Sequence, residues 1–209
     1  MLIRALLIWG ALLILEGIVV ILLVPPTLIV NAAYKEEAVL ADTLGPEVAE
    51  DISTKARDTF NAWFVETGVM AESFTLFVPT EANKRASTGI ETLAEGLFEV
   101  VRRRLESAWN LVFVGIQRVY AFLTWMPLLI PFVIACAFDG ATVRRIKLLT
   151  FGISSAPIYG ASIHALIILA FFPLFYAAWP FAAPPLIVPI WFICLALVLR
   201  SLITNLQRM

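Results

Sequence analysis

Residues 119–138 read VYAFLTWMPLLIPFVIACAF, an uncharged run that decides the architecture. As a helix, a run of about 20 apolar residues matches the hydrocarbon thickness of a bilayer. Upstream, residues 31–101 hold thirteen acids against five bases (Lys35, Lys55, Arg57, Lys84 and Arg85). Downstream, Asp139-Gly140-Ala141-Thr142-Val143-Arg144-Arg145-Ile146-Lys147 is short and basic. The stretches 1–30 and 119–209 carry only two acids, Glu16 and Asp139. The chain as a whole has 209 residues, 61% hydrophobic and 15% charged. Soluble domains carry roughly 25% charged residues, so lipid is the expected solvent for much of this one. Segregated in this way, the near-neutral net charge of -1 describes apolar spans with one acidic aqueous excursion.

Three more runs qualify as spans. The first extends from about Ala5 to Val24, with helix expected on to about Val30. Val30-Asn31-Ala32 resembles a signal cleavage site, but the apolar region is too long and contains Glu16, so a retained anchor is expected. The third runs from about Ala156 to Ala178, and the fourth from about Pro185 to Leu199, with an edge reaching Ile203. Pro184, Pro185 and Pro189 occupy its first turns, where proline is tolerated. Trp179 and Phe181 lie in the uncharged turn before it, a composition suited to the lipid interface.

The expected fold is therefore all-α: a four-helix transmembrane bundle with a long extracytoplasmic helical hairpin between spans one and two. The divisions are 1–30 for the first span, 31–118 for the hairpin, and 119–209 for the remaining spans with a basic cytoplasmic loop at 139–155. Arg4, then Arg144, Arg145 and Lys147, then Arg200 and Arg208 all fall on one side if the chain crosses four times. The positive-inside rule makes that side the cytoplasm, with both ends inside the bacterial inner membrane. In the hairpin, Val48, Ile52, Ala56, Phe60 and Trp63/Phe64 recur at helical spacing, and Gly68 through Val78-Pro79 breaks the pattern. A second pattern starts near Glu81 and continues through Leu93, Leu97, Leu105, Trp109 and Ile116 into span two. It predicts one long helix, half aqueous and half in the membrane, antiparallel to the shorter arm.

Few residues suggest chemistry. Glu16 and His164 are the ionisable side chains placed deep within spans, where such groups point into the bundle and are functional candidates. They could share a depth and relay protons, or form a buried hydrogen-bonded pair that fixes helix register. In Phe151-Gly152-Ile153-Ser154-Ser155-Ala156-Pro157-Ile158-Tyr159-Gly160, Ser154 or Ser155 is placed to cap a helix whose first turn holds Pro157. His164 lies too far along that helix to activate either serine, and no hydrolase, Walker-type or dinucleotide motif occurs. No cofactor is implied. Cys136 and Cys194 lack a CxxC spacing or a neighbouring His, so no metal site is expected. The basic group Asp139, Arg144, Arg145 and Lys147 suits headgroup contact and is too small for direct nucleic-acid binding. Arg102, Arg103, Arg104 and Arg118 form a second basic group outside the membrane, placed to reach phosphates or pair with acids of a neighbouring helix.

The C-terminal half carries a resemblance. Trp125-Met126-Pro127-Leu128-Leu129-Ile130-Pro131, Asp139-Gly140, Arg144-Arg145-Ile146-Lys147, Phe151-Gly152, Ser155, Pro157-Ile158-Tyr159, His164, Leu199-Arg200 and Asn205-Leu206-Gln207-Arg208 resemble an inner-membrane family encoded by integrative conjugative elements and conjugative plasmids. The resemblance covers about residues 100–209; the first span and hairpin fit by layout. Ile153 stands where the family commonly has an aromatic. Members are typically encoded beside the coupling ATPase of a type IV secretion channel, and no catalytic residues can be carried over. The resemblance implies a non-enzymatic membrane subunit of a conjugative DNA-transfer apparatus, with the coupling ATPase, other transfer proteins or a second copy as partners. A proton-linked transporter using Glu16 and His164, or a mating-exclusion factor, are the alternatives.

Overall fold

The computed structural model describes residues 2–77 and 91–206. The expected break at Val78-Pro79, the start of the second arm near Glu81, and terminal Gln207 and Arg208 lie outside these residues. Among the described residues there are seven α-helices and no strand: α1 (Leu2–Leu23), α2 (Pro26–Leu44), α3 (Pro46–Phe60), α4 (Val69–Phe77), α5 (Glu91–Leu149), α6 (Ala156–Ala178) and α7 (Ile187–Thr204). A π-helical turn, Asn61–Val65, follows α3. The class is all-α. The 98–149 part of α5, together with α6 and α7, is long and apolar enough to cross a membrane. A fourth candidate is α1 taken with α2, two helices bent by 110° at their junction.

That bend departs from the helix expected to run on to Val30. Proline lacks the N–H for the helical ladder and drives the preceding residue out of the α region. With two in succession, α1 ends at Leu23, and Pro26 becomes the first residue of α2. The opposite departure occurs after span two. Residues 139–149 were expected in a loop of 139–155, yet α5 stays helical through Leu149, which leaves 150–155 as the connection. Ala141, Arg144, Arg145, Lys147 and Leu148 are good helix formers. Gly140 has no positive φ and serves close packing instead. Pro127 and Pro131 stay inside α5, as prolines do where neighbours re-satisfy the freed carbonyls.

The chain divides into two compact units. The first comprises residues 2–14, 121–176 and 185–206. Trp9 of α1 stacks on Phe171 of α6 at 6.3 Å and meets Phe175 edge-on at 6.0 Å. Phe122 of α5 packs on Trp191 and Phe192 of α7 at 5.0 and 5.4 Å. Val188, Phe192 and Ala196, four residues apart, form the buried stripe of α7. Trp191 Nε1 donates to the Leu169 carbonyl at 2.9 Å, and Ser162 Oγ to Ser201 Oγ at 3.0 Å. Ile130, Ile134, Phe138, Leu174, Ile190 and Leu197 face outward, an apolar exterior compatible with a membrane protein.

The second unit comprises residues 15–120 and 177–184. Here α3 lies antiparallel to α5, from Ser53–Gln117 at one end to Phe64–Trp109 at the other. Phe60 meets Trp109 and Phe113 edge-on, and Thr59 shares a hydrogen bond with Tyr120 at 2.7 Å. The buried face of α3 is Ala49, Ile52, Ser53 and Ala56. The helical pattern also enlisted Trp63, but the π turn inserts a residue into the register, so Phe64 continues the packed face and Trp63 turns outward. Gly68, at φ +79, ends this arm as expected, but the break does not run on toward Val78-Pro79, because Val69–Phe77 is helical as α4.

Candidate functional site

In the first unit, polar side chains gather where α5 and α7 end and α6 begins. Arg200 Nε donates to Asp139 Oδ2. One residue on, a Cβ at Gly140 would stand 2.8 Å from the Arg200 carbonyl oxygen, so only glycine permits this approach of α5 to α7. Thr204 Oγ1 reaches the Gly140 carbonyl at 3.4 Å. Asn205, 6% exposed, ties three elements. Its Oδ1 accepts from Lys147 Nζ and from the Ser155 N–H, both at 3.3 Å, and its Nδ2 donates to the Ser201 carbonyl at 2.9 Å. Asp139, Gly140, Lys147, Ser155, Arg200 and Asn205, scattered over 67 positions of sequence, are thus one tethered assembly.

From this assembly projects an unusual turn. The Gly152 N–H donates back to the Lys147 carbonyl at 2.7 Å, the long bond of a Schellman cap, which places Phe151 at the left-handed position with φ +53. Glycine normally stands there, because a side chain in this region is strained. Phe151 is 95% exposed and Ile153 90%. Gly152 is pressed against Lys147, where a Cβ would meet side-chain and backbone atoms at 3.3 Å. Ser155 stands just before α6 with its Oγ 3.5 Å from the Ile158 N–H; Pro157 is in the first turn, and Tyr159 donates its N–H to the Ser155 carbonyl at 3.1 Å. Arg145 is exposed, and the buried Nε of Arg144 has no hydrogen-bond partner. Two apolar side chains therefore stand exposed on a hydrogen-bonded turn that directly follows three bases in sequence.

In the second unit, the group Arg102, Arg103, Arg104 and Arg118 separates into three roles. Arg102 pairs with Glu106 at 3.1 Å and Arg103 with Glu99 at 2.9 Å, exposed contacts along α5. Arg104 Nη1 donates to the carbonyls of Ile21, at 3.2 Å, and Val24, which satisfies the open C-terminal end of α1. Arg118 is buried. Its Nε meets Glu36 Oε1 at 2.6 Å and its Nη2 meets Glu36 Oε2 at 2.5 Å, with the two side chains 1% and 2% exposed. Nη1 donates to the Trp179 carbonyl at 2.6 Å and Nη2 to that of Phe181 at 2.7 Å. One guanidinium thus joins α5 to α2 and to the turn before α7. Close by, Gly115 lets α5 approach Ala177, whose carbonyl would stand 3.1 Å from a Cβ there.

Glu36 was missed in the sequence. Its signal was spacing: Ile29, Ala32, Glu36 and Leu40 line one face of α2, and an acid on an apolar stripe demands a buried partner. Glu16 lies in the second unit with its Oε2 buried and without a hydrogen-bond partner. His164 lies in the first unit, exposed, with Nδ1 2.8 Å from the Gly160 carbonyl of its own helix. Among the described residues, no three His, Cys, Asp or Glu side chains gather to hold a metal.

Residues 29–207 match a family model described as DtrJ-like, IncC plasmid conjugative DNA transfer protein DtrJ-like. The match takes in α2 and its Glu36 as well as the C-terminal half that carried the resemblance. No curated protein and no solved structure matches the chain.

Proposed function

The chain belongs to the DtrJ-like family of conjugative DNA transfer proteins, and from that premise we propose that it is a non-enzymatic inner-membrane subunit of the transfer apparatus that docks the coupling ATPase. The observation that carries this reading is the Schellman-capped turn bearing the exposed Phe151 and Ile153. From Asp139 to Leu149, α5 advances about 15 Å, so the turn reaches well past the charged Asp139–Arg200 level. Arg144, Arg145, Lys147 and Arg200 at that end support its assignment to the cytoplasm under the positive-inside rule. A strained, exposed aromatic held by a Schellman cap is a costly way to close a loop, and such strain accumulates at functional positions. An apolar knob flanked by bases fits an acidic surface with an apolar pocket, with the charges steering encounter and the knob supplying affinity.

In this reading the second unit, braced internally by Glu36 and Arg118, presents an acidic surface to extracytoplasmic parts of the channel. The protein orients a partner and performs no bond chemistry of its own. The test is affinity purification of the tagged chain from mating-competent cells. The coupling ATPase is expected in the wild-type eluate and at least tenfold depleted in Phe151→Asp/Ile153→Asp. Equal recovery from both, or recovery from neither, contradicts the assignment.

A further inference from the structure

We infer that the second unit carries a binding site for a small zwitterion of amino-acid size. A cavity of about 240 Å³ opens where faces of α2, α3 and α5 converge. Its walls follow helical spacing: Tyr34 and Glu37 three apart on α2, Ser53 and Arg57 four apart on α3, Asn110 and Gln117 two turns apart on α5. Sites for drug-sized ligands run to about 300–1,000 Å³, so this volume selects a smaller occupant.

Three features specify its chemistry. Glu37 and Arg57 bring opposite charges to one cavity, and among the described residues neither forms an ion pair. Glu37 is the neighbour of Glu36 in sequence, but it points to the cavity while Glu36 is consumed by Arg118. Gln117, 3% exposed, gives its Nε2 to Ser53 Oγ at 3.0 Å, and its Oε1 accepts no hydrogen bond from a described residue. On the cavity wall, that amide oxygen is free to accept a hydrogen bond from a bound N–H. A simple anion is opposed by Glu37 and a simple cation by Arg57. A molecule with both charges satisfies each, its carboxylate at Arg57 and its ammonium at Glu37, with the Phe113 ring as an apolar wall. This site does not depend on the partner assigned to the first unit.

The test is isothermal titration of the purified full chain in detergent with the common L-α-amino acids, one at a time. At least one is expected to bind saturably at millimolar concentration or below. Its N-acetyl and carboxamide forms, each lacking one charge, are expected to bind at least tenfold more weakly. Arg57→Gln and Glu37→Gln are expected to weaken the parent amino acid to a similar degree with no change in thermal midpoint, because both side chains are exposed. The site is refuted if no amino acid binds, if a blocked form binds as well as its parent, or if both variants keep wild-type affinity.

Discussion

Arg118 holds Glu36 through two parallel hydrogen bonds, Nε to Oε1 at 2.6 Å and Nη2 to Oε2 at 2.5 Å, and also donates from Nη1 and Nη2 to the Trp179 and Phe181 carbonyls. A buried pair of this kind is a poor source of net stability, because desolvating two charges opposes their attraction. Its strength lies in geometry. The planar guanidinium fixes α2, α5 and the turn before α7 at once, which no apolar contact of the same size would do.

Breaking the pair on either side leaves a buried charge. Arg118→Ala is expected to lower unfolding stability by ~3–5 kcal/mol, measured by chemical unfolding in detergent. Glu36→Ala should be the milder change, because Arg118 keeps its two carbonyl acceptors. Arg118→Lys should fail to rescue, because a single ammonium cannot reproduce the fork.

Gly140 is expected to tolerate no side chain. With the Arg200 carbonyl oxygen 2.8 Å from a Cβ at that position, Gly140→Ala must push α5 from α7, at about 1–3 kcal/mol for overpacking. Gly96, with open space where its Cβ would be, supplies the control: Gly96→Ala should leave the unfolding midpoint unchanged or slightly raised, as expected for alanine in a helix.

Asn205→Ala removes an acceptor from Lys147 and from the Ser155 N–H and a donor from the Ser201 carbonyl. Groups left unsatisfied in a buried site cost about 1–3 kcal/mol. Hydrogen exchange of the 150–155 connection is the sharper readout, and it should rise in this variant while exchange in α2 and α3 stays as in the wild type.

Phe151→Gly is expected to separate stability from function. Glycine relieves the left-handed strain, so unfolding stability should rise by about 1 kcal/mol, while recovery of the coupling ATPase falls at least tenfold. A merely structural Phe151 would lose nothing with that gain.

The helical class, three of the four apolar spans and the unbroken helix that enters span two were legible, because long apolar runs and three-to-four spacing are local signals. The first span qualifies only as part of a pair of helices bent by 110°. The bounds of α6 fell where the Ser155 and Pro157 start signals and the last apolar residue, Ala178, put them. The connection after span two was less legible: charges at 139–147 look like a loop, yet charge decides depth, not helicity, and α5 continues to Leu149. The basic group Arg102, Arg103, Arg104 and Arg118 shared composition but not direction, since consecutive helical residues point about 100° apart. The contacts of Glu36 and Asn205 were invisible for another reason. Their partners lie 82 and 58 or 50 residues away, and a single chain gives no sign of which distant residue will meet them.

The most direct measurement is site-specific photocrosslinking from position 151 in mating cells, with a photoreactive amino acid in place of Phe151. The account predicts a discrete adduct with the coupling ATPase, absent when the same group is placed at the outward-facing Ile130. Adducts with lipid alone, or the same protein adduct from both positions, would contradict it.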